Sequence, residues 1–402
     1  MKIRISAAAG VILVCCPGAV FHSRADPVAN WHTRSPPASS TGNLAAVTYG
    51  SGVFVAVGGS ADQRELILTS PDALTWTARS SGNTNPLTAV AHGNGTFLAV
   101  GTFHSGGGLP DSAMIVTSSN GTDWTNSTAF PSNTLQAVTY GNGVFVTVGD
   151  RVILTSSNGV SWSSQNLSGQ PVYLRYVVFG NGLFVAEDGN GYTVTSPDGY
   201  TWVNRRNAPE PLAMTYGNGV FVVISGEFNN PSVRWVLSSA DAENWTLRGY
   251  PGVATLGEGL TYGNGTFVLL GIGGSIAYTS DLNLAIWNQR VLGNFSLRDV
   301  TYGRGTFVIV GDQGVILQSD PLPTARLMAG PLSDRGLPLT ISGEAGLSYR
   351  LQASADLPAT KWTDLLTFTN TAPATTFVDS DATHFSRRFY RVVAAMADLE
   401  SH

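Results

Sequence analysis

Apolar and polar positions alternate along most of this chain in short runs, and glycine separates one run from the next. A period of two puts successive side chains on opposite faces of an extended strand. In one clear copy, residues 135–140 and 144–148 are two such runs joined through Gly141-Asn142-Gly143. The central Asn-Gly suits a type I′ hairpin turn, which needs positive φ at both residues. The unit recurs seven times. Its aromatic position is Tyr49, His92, Tyr140, Phe179, Tyr216, Tyr262 and Tyr302. A phenylalanine follows five residues on, at Phe54, Phe97, Phe145, Phe184, Phe221, Phe267 and Phe307. Five copies carry Asn-Gly in the turn, and Ser51 and Arg304 replace the Asn in the other two. No 3.6-residue apolar stripe accompanies these runs, so the pattern predicts strands throughout.

The first glycines of the turns, Gly50, Gly93, Gly141, Gly180, Gly217, Gly263 and Gly303, are spaced 43, 48, 39, 37, 46 and 40 residues apart. Self-similarity near that period, with several strands per copy, predicts the blades of a β-propeller. Each blade reads as four strands, a to d; in the third copy c covers 152–156 and d begins near Trp162. The seventh copy has no tryptophan strand and runs into Pro321-Leu322-Pro323. The missing strand is found at the other end, where Asn30-Trp31-His32-Thr33-Arg34-Ser35 parallels Thr75-Trp76-Thr77-Ala78-Arg79-Ser80. The N-terminal segment is therefore expected to supply strand d of the last blade. That closes a seven-bladed ring over residues 26–321 and leaves no free sheet edge. Six short alternating segments within 324–395 predict a small β-sandwich, and 396–402 a frayed end. The fold class expected is all-β.

Between strands c and d lies a second recurring segment, Ser156-Ser157-Asn158-Gly159-Val160-Ser161-Trp162. Its acidic or amide position is Asp72, Asn120, Asn158, Asp198 and Asp241, and its tryptophan is Trp76, Trp124, Trp162, Trp202 and Trp245. A stretched copy runs from Ser280 to Trp287. The segment resembles the Asp-box of sialidase-like (BNR-repeat) propellers. The short side chain is expected to hold the turn by accepting from amides two residues on, and the tryptophan to fill the gap against neighbouring strands. A structural role is expected, because Asn replaces Asp freely and the resemblance implies that these boxes lie away from a sialidase's active site. Leu347-Ser348-Tyr349-Arg350-Leu351-Gln352-Ala353-Ser354, Trp362-Thr363-Asp364-Leu365 and Arg388-Phe389-Tyr390-Arg391-Val392 resemble fibronectin-type or immunoglobulin-like modules of secreted bacterial proteins. That resemblance implies a spacer or adhesive unit. The repeat is also similar to that of photosystem assembly-factor propellers, which implies use as a scaffold.

Charge and cysteine usage narrow the setting. The formal charge is −5, and lysine occurs only as Lys2 and Lys361. Phosphate backbones are normally met by Lys/Arg clusters, so nucleic acid is not an expected partner. Residues 1–25 read as a secretory signal peptide: Lys2 and Arg4, an apolar run from Ala7 to Cys16, then Ser23-Arg24-Ala25 as a small-x-small cleavage site. A lipoprotein anchor at Cys15 is a poor fit, since Val14 is bulky where a small residue is needed. Cleavage removes both cysteines, Cys15 and Cys16, and takes the charge to −8. No later segment is apolar enough to span a bilayer. The expected product is secreted, extracellular or periplasmic, and monomeric.

Binding residues are expected on the b–c and d–a loop face, whose loops vary in length, while the other face carries short uniform turns. The candidates are Arg64, His104, Asp111, Arg151, Glu187, Glu227, Phe228, Arg234 and Tyr250. A sialidase needs an arginine triad and a tyrosine nucleophile with a glutamate partner. The early Phe/Tyr-Arg-Ile-Pro segment is missing here, so the resemblance implies the fold and not the chemistry. Scattered histidines give no metal-ligand spacing, no Gly-x-Ser-x-Gly elbow occurs, and neither a metal nor a cofactor is expected. The functional expectation is a non-catalytic scaffold binding a protein or a glycan. The alternative is a sialidase-like glycoside hydrolase or polysaccharide lyase, with Asp150, Glu187 and Glu227 as the carboxyls that could face a substrate.

Overall fold

The computed structural model describes residues 13–14, 28 and 30–394, apart from 39, 41, 61–63, 104–111, 128–129, 132–133, 166–172, 189–190, 206–209, 228–229, 253–258, 282, 321–325, 344–347, 356–361, 370, 372–373 and 386–387. His104, Asp111, Phe228 and most of the expected signal peptide lie outside the described residues, as does 396–402. The chain divides into two compact units, one of them Trp31–Gly303 with Phe307–Gln318.

That unit is a seven-bladed β-propeller, counted over the described residues. In the third blade, strands Leu135–Gly141, Val144–Gly149, Val152–Ser156 and Ser163–Gln165 pair antiparallel in that order. The blade led by Leu87–Gly93 carries one extra short strand, Phe130–Pro131. The last blade, Leu297–Gly303, Thr306–Gly311 and Ile316–Ser319, is completed by Trp31–Arg34 from the other end of the chain. Arg34 Nε donates to Gln318 Oε1 across this join at 2.8 Å. Closure by the N-terminal strand is therefore as expected.

All seven a–b turns have positive φ at both central residues, from Ser51 (46°) and Gly52 (81°) to Arg304 (47°) and Gly305 (78°). The glycine that precedes each turn has a different task. A Cβ on Gly141 would lie 2.1 Å from Cγ of Phe179 in the next blade, and 2.3 and 2.4 Å from the two adjoining ring atoms. Near-equal distances to those three atoms put the glycine over the ring face. The same holds for Gly50 on His92, Gly93 on Tyr140 and Gly180 on Tyr216, while Gly217 on Tyr262, Gly263 on Tyr302 and Gly303 on Tyr49 sit over the Cβ–Cγ end of the side chain, nearest to Cγ, Cβ and one ring carbon. The last pair carries the sequence of contacts from blade seven back to blade one. Each aromatic also packs on the phenylalanine of its own blade, with centroids 4.5 to 5.0 Å apart.

The c–d hairpins are held by one side chain each. Asp198 Oδ1 accepts from the amides of Tyr200 (2.8 Å) and Thr201 (2.7 Å). Asn158 Oδ1 does the same for Val160 and Ser161, Asn120 for Thr122 and Asp123, Asp72 for Leu74 and Thr75, and Asp241 for Glu243 and Asn244. The stretched copy keeps the device, with Asp281 receiving the Asn283 amide. Trp76, Trp124, Trp162 and Trp202 each donate Nε1 to the carbonyl three residues back. The buried Trp245 Nε1 has no acceptor among the described residues. The amides of Thr201 and Tyr200, with Ser196 and Thr201 hydroxyls, hold the Asp198 carboxyl below the usual carboxylate range.

The second unit contains a small β-sandwich. Its sheets are Arg326–Ala329, Leu337–Ser342 and Thr375–Asp379, and Leu13–Val14, Phe389–Ala394, Ser348–Ser354 and Thr363–Thr369. Leu337, Leu339, Ile341, Tyr349, Leu351, Tyr390 and Val392 fill the core between them. Buried Asp379 receives Tyr390 Oη at 2.8 Å. Arg388 Nε lies 2.9 Å from the same carboxyl, as an ion pair rather than an aligned hydrogen bond. Two residues of the apolar N-terminal run pair with an edge, Leu13 opposite Tyr390. Cleavage of a leader would expose that edge.

Two predictions follow from this packing. Gly141→Ala should cost about 3 kcal/mol, at the upper end of overpacking, against roughly 1 kcal/mol for Gly143→Ala, which only strains a turn with open space around it. The Gly141→Ala cost should shrink when Phe179 is also cut to Ala, a coupling readable from urea denaturation of the four variants. In the hairpins, Asp198→Ala should cost about 1 kcal/mol by loss of the two amide bonds. Asp198→Asn should stay within about 0.5 kcal/mol, because Asn120 and Asn158 already serve the same turn.

Candidate functional site

The start of strand a is irregular in several blades. The a–b register shifts between Leu44 and Ala46, Leu87 and Ala89, Leu135 and Ala137, and Pro211 and Ala213. Bulges of this kind re-aim one side chain. The residues at the shifts are Ala45, Thr88, Gln136 and Leu212, four before the blade's aromatic. Three of them, with Arg298 at the equivalent position of blade seven, line a hollow of about 1110 Å³.

The hollow is built at the end of the blades where strand b ends and strand a begins. Blade one gives Asn43, Leu44, Ala45 and Gly59, blade two Pro86 to Thr88, and blade three Gln136. Blade six gives the tight turn Ile272–Gly274 through Gly271 to Gly273, and blade seven gives Asn294 to Arg298 with Asp312, Gln313 and Val315. The side chains Leu44, Leu87 and Leu297 are buried beneath it. Ile272 is 47% exposed on its rim, beside half-buried Phe295.

Arg298 and Asp312 form a two-pronged ion pair, Nε to Oδ1 and Nη2 to Oδ2, both 2.9 Å. Ser296 Oγ adds a third bond to Asp312 Oδ2 at 2.8 Å. Hydrogen bonding from Arg298, then from Ser296, and the Arg298 charge hold the Asp312 carboxyl below the usual range against its partial burial. Four exposed carboxamides line the same hollow: Asn43, Gln136, Asn294 and Gln313. Asn43 Oδ1 receives the Gln313 amide at 3.0 Å, tying blade one to blade seven. Each carboxamide offers donors and an acceptor in one plane. The hollow is therefore suited to an uncharged hydrogen-bonding ligand with small apolar groups.

None of the five candidates whose side chains are described, Arg64, Arg151, Glu187, Arg234 and Tyr250, lines this hollow. Arg64 and Tyr250 are exposed on other loops. Arg151 is exposed beside Asp150, Nε to Oδ1 3.6 Å. Arg234 is buried. Glu227 ends strand Val220–Glu227. Glu187 is wholly buried, in the interior row of strand Leu183–Glu187. Its Oε1 accepts from Thr193 Oγ1 at 2.9 Å, and its Oε2 is buried with no hydrogen-bond partner among the described residues. Burial pushes the Glu187 carboxyl up to about 8, helped by the charge of Asp188 and opposed by Thr193. Charge and loop length point toward surface loops, whereas the hollow is made by strand starts. The legible signal is the position four before each aromatic, where Ala45, Thr88, Gln136 and Arg298 break an otherwise regular repeat.

No protein-family model matches the chain, and no curated protein matches it. Solved structures similar to it include several propellers. YCF48 bound to D1 peptide is 17% identical with a TM-score of 0.56, covering 72% of this chain and 96% of that one. Virginiamycin B lyase from Staphylococcus aureus is 12% identical with a TM-score of 0.59, covering 72% and 98%. The WD40 propeller domain of Doa1 is 11% identical with a TM-score of 0.52, covering 72% and 97%. These likenesses establish the propeller fold. Among the described residues no helix is long and apolar enough to cross a membrane, and no group of three His, Cys, Asp or Glu could hold a metal.

Glu187 carries a pH prediction. Between about 4.5 and about 8 the folded chain keeps a proton that the unfolded chain has released. Stability should therefore fall as pH rises through that window, by a few kcal/mol at most, and then level off. Denaturation midpoints should show the slope in the native chain and lose it in Glu187→Gln; an unchanged slope in the variant would exclude this residue as its source.

Proposed function

We propose that this chain is an exported, non-catalytic propeller of the Asp-box type that binds an extended segment of another protein in the hollow formed by blades six, seven, one, two and three. The observation that carries this reading is one hollow lined by four exposed carboxamides and an ion pair whose two members are engaged with each other. Carboxamides match the donors and acceptors of a peptide backbone. Ile272, Pro86 and Phe295 offer apolar contact to its side chains. A general acid or base needs a group free to exchange its proton near the working pH, and Asp312 is held ionised by Arg298. The propeller neighbour that binds a peptide supports the same reading. Export is read from the basic, then apolar, first 25 residues, and the β-sandwich from 324 serves as a spacer.

The test is selection of peptides on the leaderless chain, with a glycan array and hydrolase and lyase assays in parallel. Selected peptides should lose at least about tenfold in affinity with Gln136→Ala or Ile272→Asp, about 1.4 kcal/mol each. Tyr200→Asp, in the c–d turn of blade four, should leave affinity unchanged. Glycans retained through the same residues, or turnover of any polymer, would replace the peptide reading.

A further inference from the structure

Six of the seven blades carry an aliphatic pair at one interior position of strands b and c. The cross-strand partners are Val57 and Ile67, Val100 and Ile115, Val148 and Ile153, Ile224 and Val236, Leu270 and Ile276, and Val310 and Ile316. All but one of these pairs fall in apolar clusters that join a blade to the next, and all are fully buried. In blade four the pair is Glu187 and Thr193, equally buried. The row extends to strand a, where Tyr176 stands opposite Glu187. The equivalent residue is Ala46, Ala89, Ala137 or Ala213 in four other blades. Across strands a, b and c the row has thus become hydroxyl, carboxyl, hydroxyl, with Arg205 opposite Thr193 on strand d.

This row faces blade five: Tyr176 Oη donates to the Leu212 carbonyl there at 3.1 Å. The apolar cluster at that seam has five buried members, Val185, Met214, Phe221, Val223 and Ala242. Among the described residues, the clusters at five other seams, seven–one, one–two, two–three, three–four and five–six, have between eight and eleven. Parting two aliphatic faces exposes them to water, which is unfavourable. Parting this row returns three polar side chains to water and relieves a carboxyl oxygen buried without a partner.

We infer that the seam between blades four and five is the joint at which the ring opens and recloses, and that the proton on Glu187 holds it shut. Ionised, the carboxylate gains more from hydration than the protonated acid does, so opening is favoured as pH rises. The charged and titratable groups on the surrounding elements are Arg175 just before strand a and Tyr176 at its start, Asp188 and Tyr192 at the b–c turn, Arg205 on strand d, and Glu227 and Arg234 on strands b and c of blade five. Asp188 bears on the carboxyl and opposes its ionisation.

Hydrogen exchange of the full chain, read by mass spectrometry at about pH 6 and about pH 9 and corrected for intrinsic rates, tests the joint. Residues 183–196 and 211–227 should exchange about tenfold faster at the higher pH, while 53–70 and 87–103 at the seam of blades one and two keep one corrected rate. Glu187→Val with Thr193→Ile should restore the aliphatic pair and bring the joint to the slow rate at both values. Glu187→Gln, which keeps the hydrogen-bonding shape, should remove the pH dependence even if the double variant fails to fold. Equal protection at both seams, or a pH dependence that survives Glu187→Gln, would overturn the inference.

Discussion

A glycine Cα pressed against an aromatic side chain of the next blade, repeated once per blade, is the contact on which this fold depends. The glycine must lack a Cβ, because the space a methyl would need is inside the ring of the next blade. The aromatic in turn packs on its own blade's phenylalanine. Each blade is thereby set at a fixed distance and angle from its neighbour through one small residue. Seven such steps return to the start, where Tyr49 covers Gly303. The N-terminal strand Trp31–Arg34 then completes the sheet that the seventh repeat leaves short. The hollow exists because this packing fixes the inner strands and leaves their bulged starts free to vary.

The architecture was legible because the repeat states it seven times. Period, turn chemistry and the unmatched tryptophan strand at Trp31 each pointed to closure of the same ring. In the sequence, Gly141 reads only as the first residue of a Gly-x-Gly turn whose centre is Asn142-Gly143. Only Asn142 and Gly143 are the turn, and Gly141 is an inter-blade contact whose partner lies 38 positions on, at Phe179. Nothing local distinguishes the two glycines. Their difference lies in what packs against them from another blade.

The hollow was less legible, for a physical reason. Loop length and charge led to Arg64, Tyr250 and Glu187, but a buried strand position and an exposed loop position look alike when both hold a charged residue. Glu187 is followed by Asp188 and glycines, which reads as a turn, yet the register pairs it with Thr193 inside the sheet. Comparison among the chain's own blades resolves this better than composition does. Where six copies have an aliphatic and one a carboxylate, or where the position four before the aromatic holds Gln136 or Arg298, the departure marks the place at which the ring differs from a pure scaffold.

Glycine α-proton chemical shifts test the central contact most directly. An α-proton held over an aromatic face is shielded by the ring current. In selectively glycine-labelled protein, one α-proton each of Gly50, Gly93, Gly141, Gly180, Gly217, Gly263 and Gly303 should move strongly upfield, while the turn glycines Gly52, Gly95 and Gly143 keep ordinary shifts. Ordinary shifts at Gly303, with the other six displaced, would mean that the ring does not close through Tyr49; ordinary shifts at all seven would contradict the account as a whole.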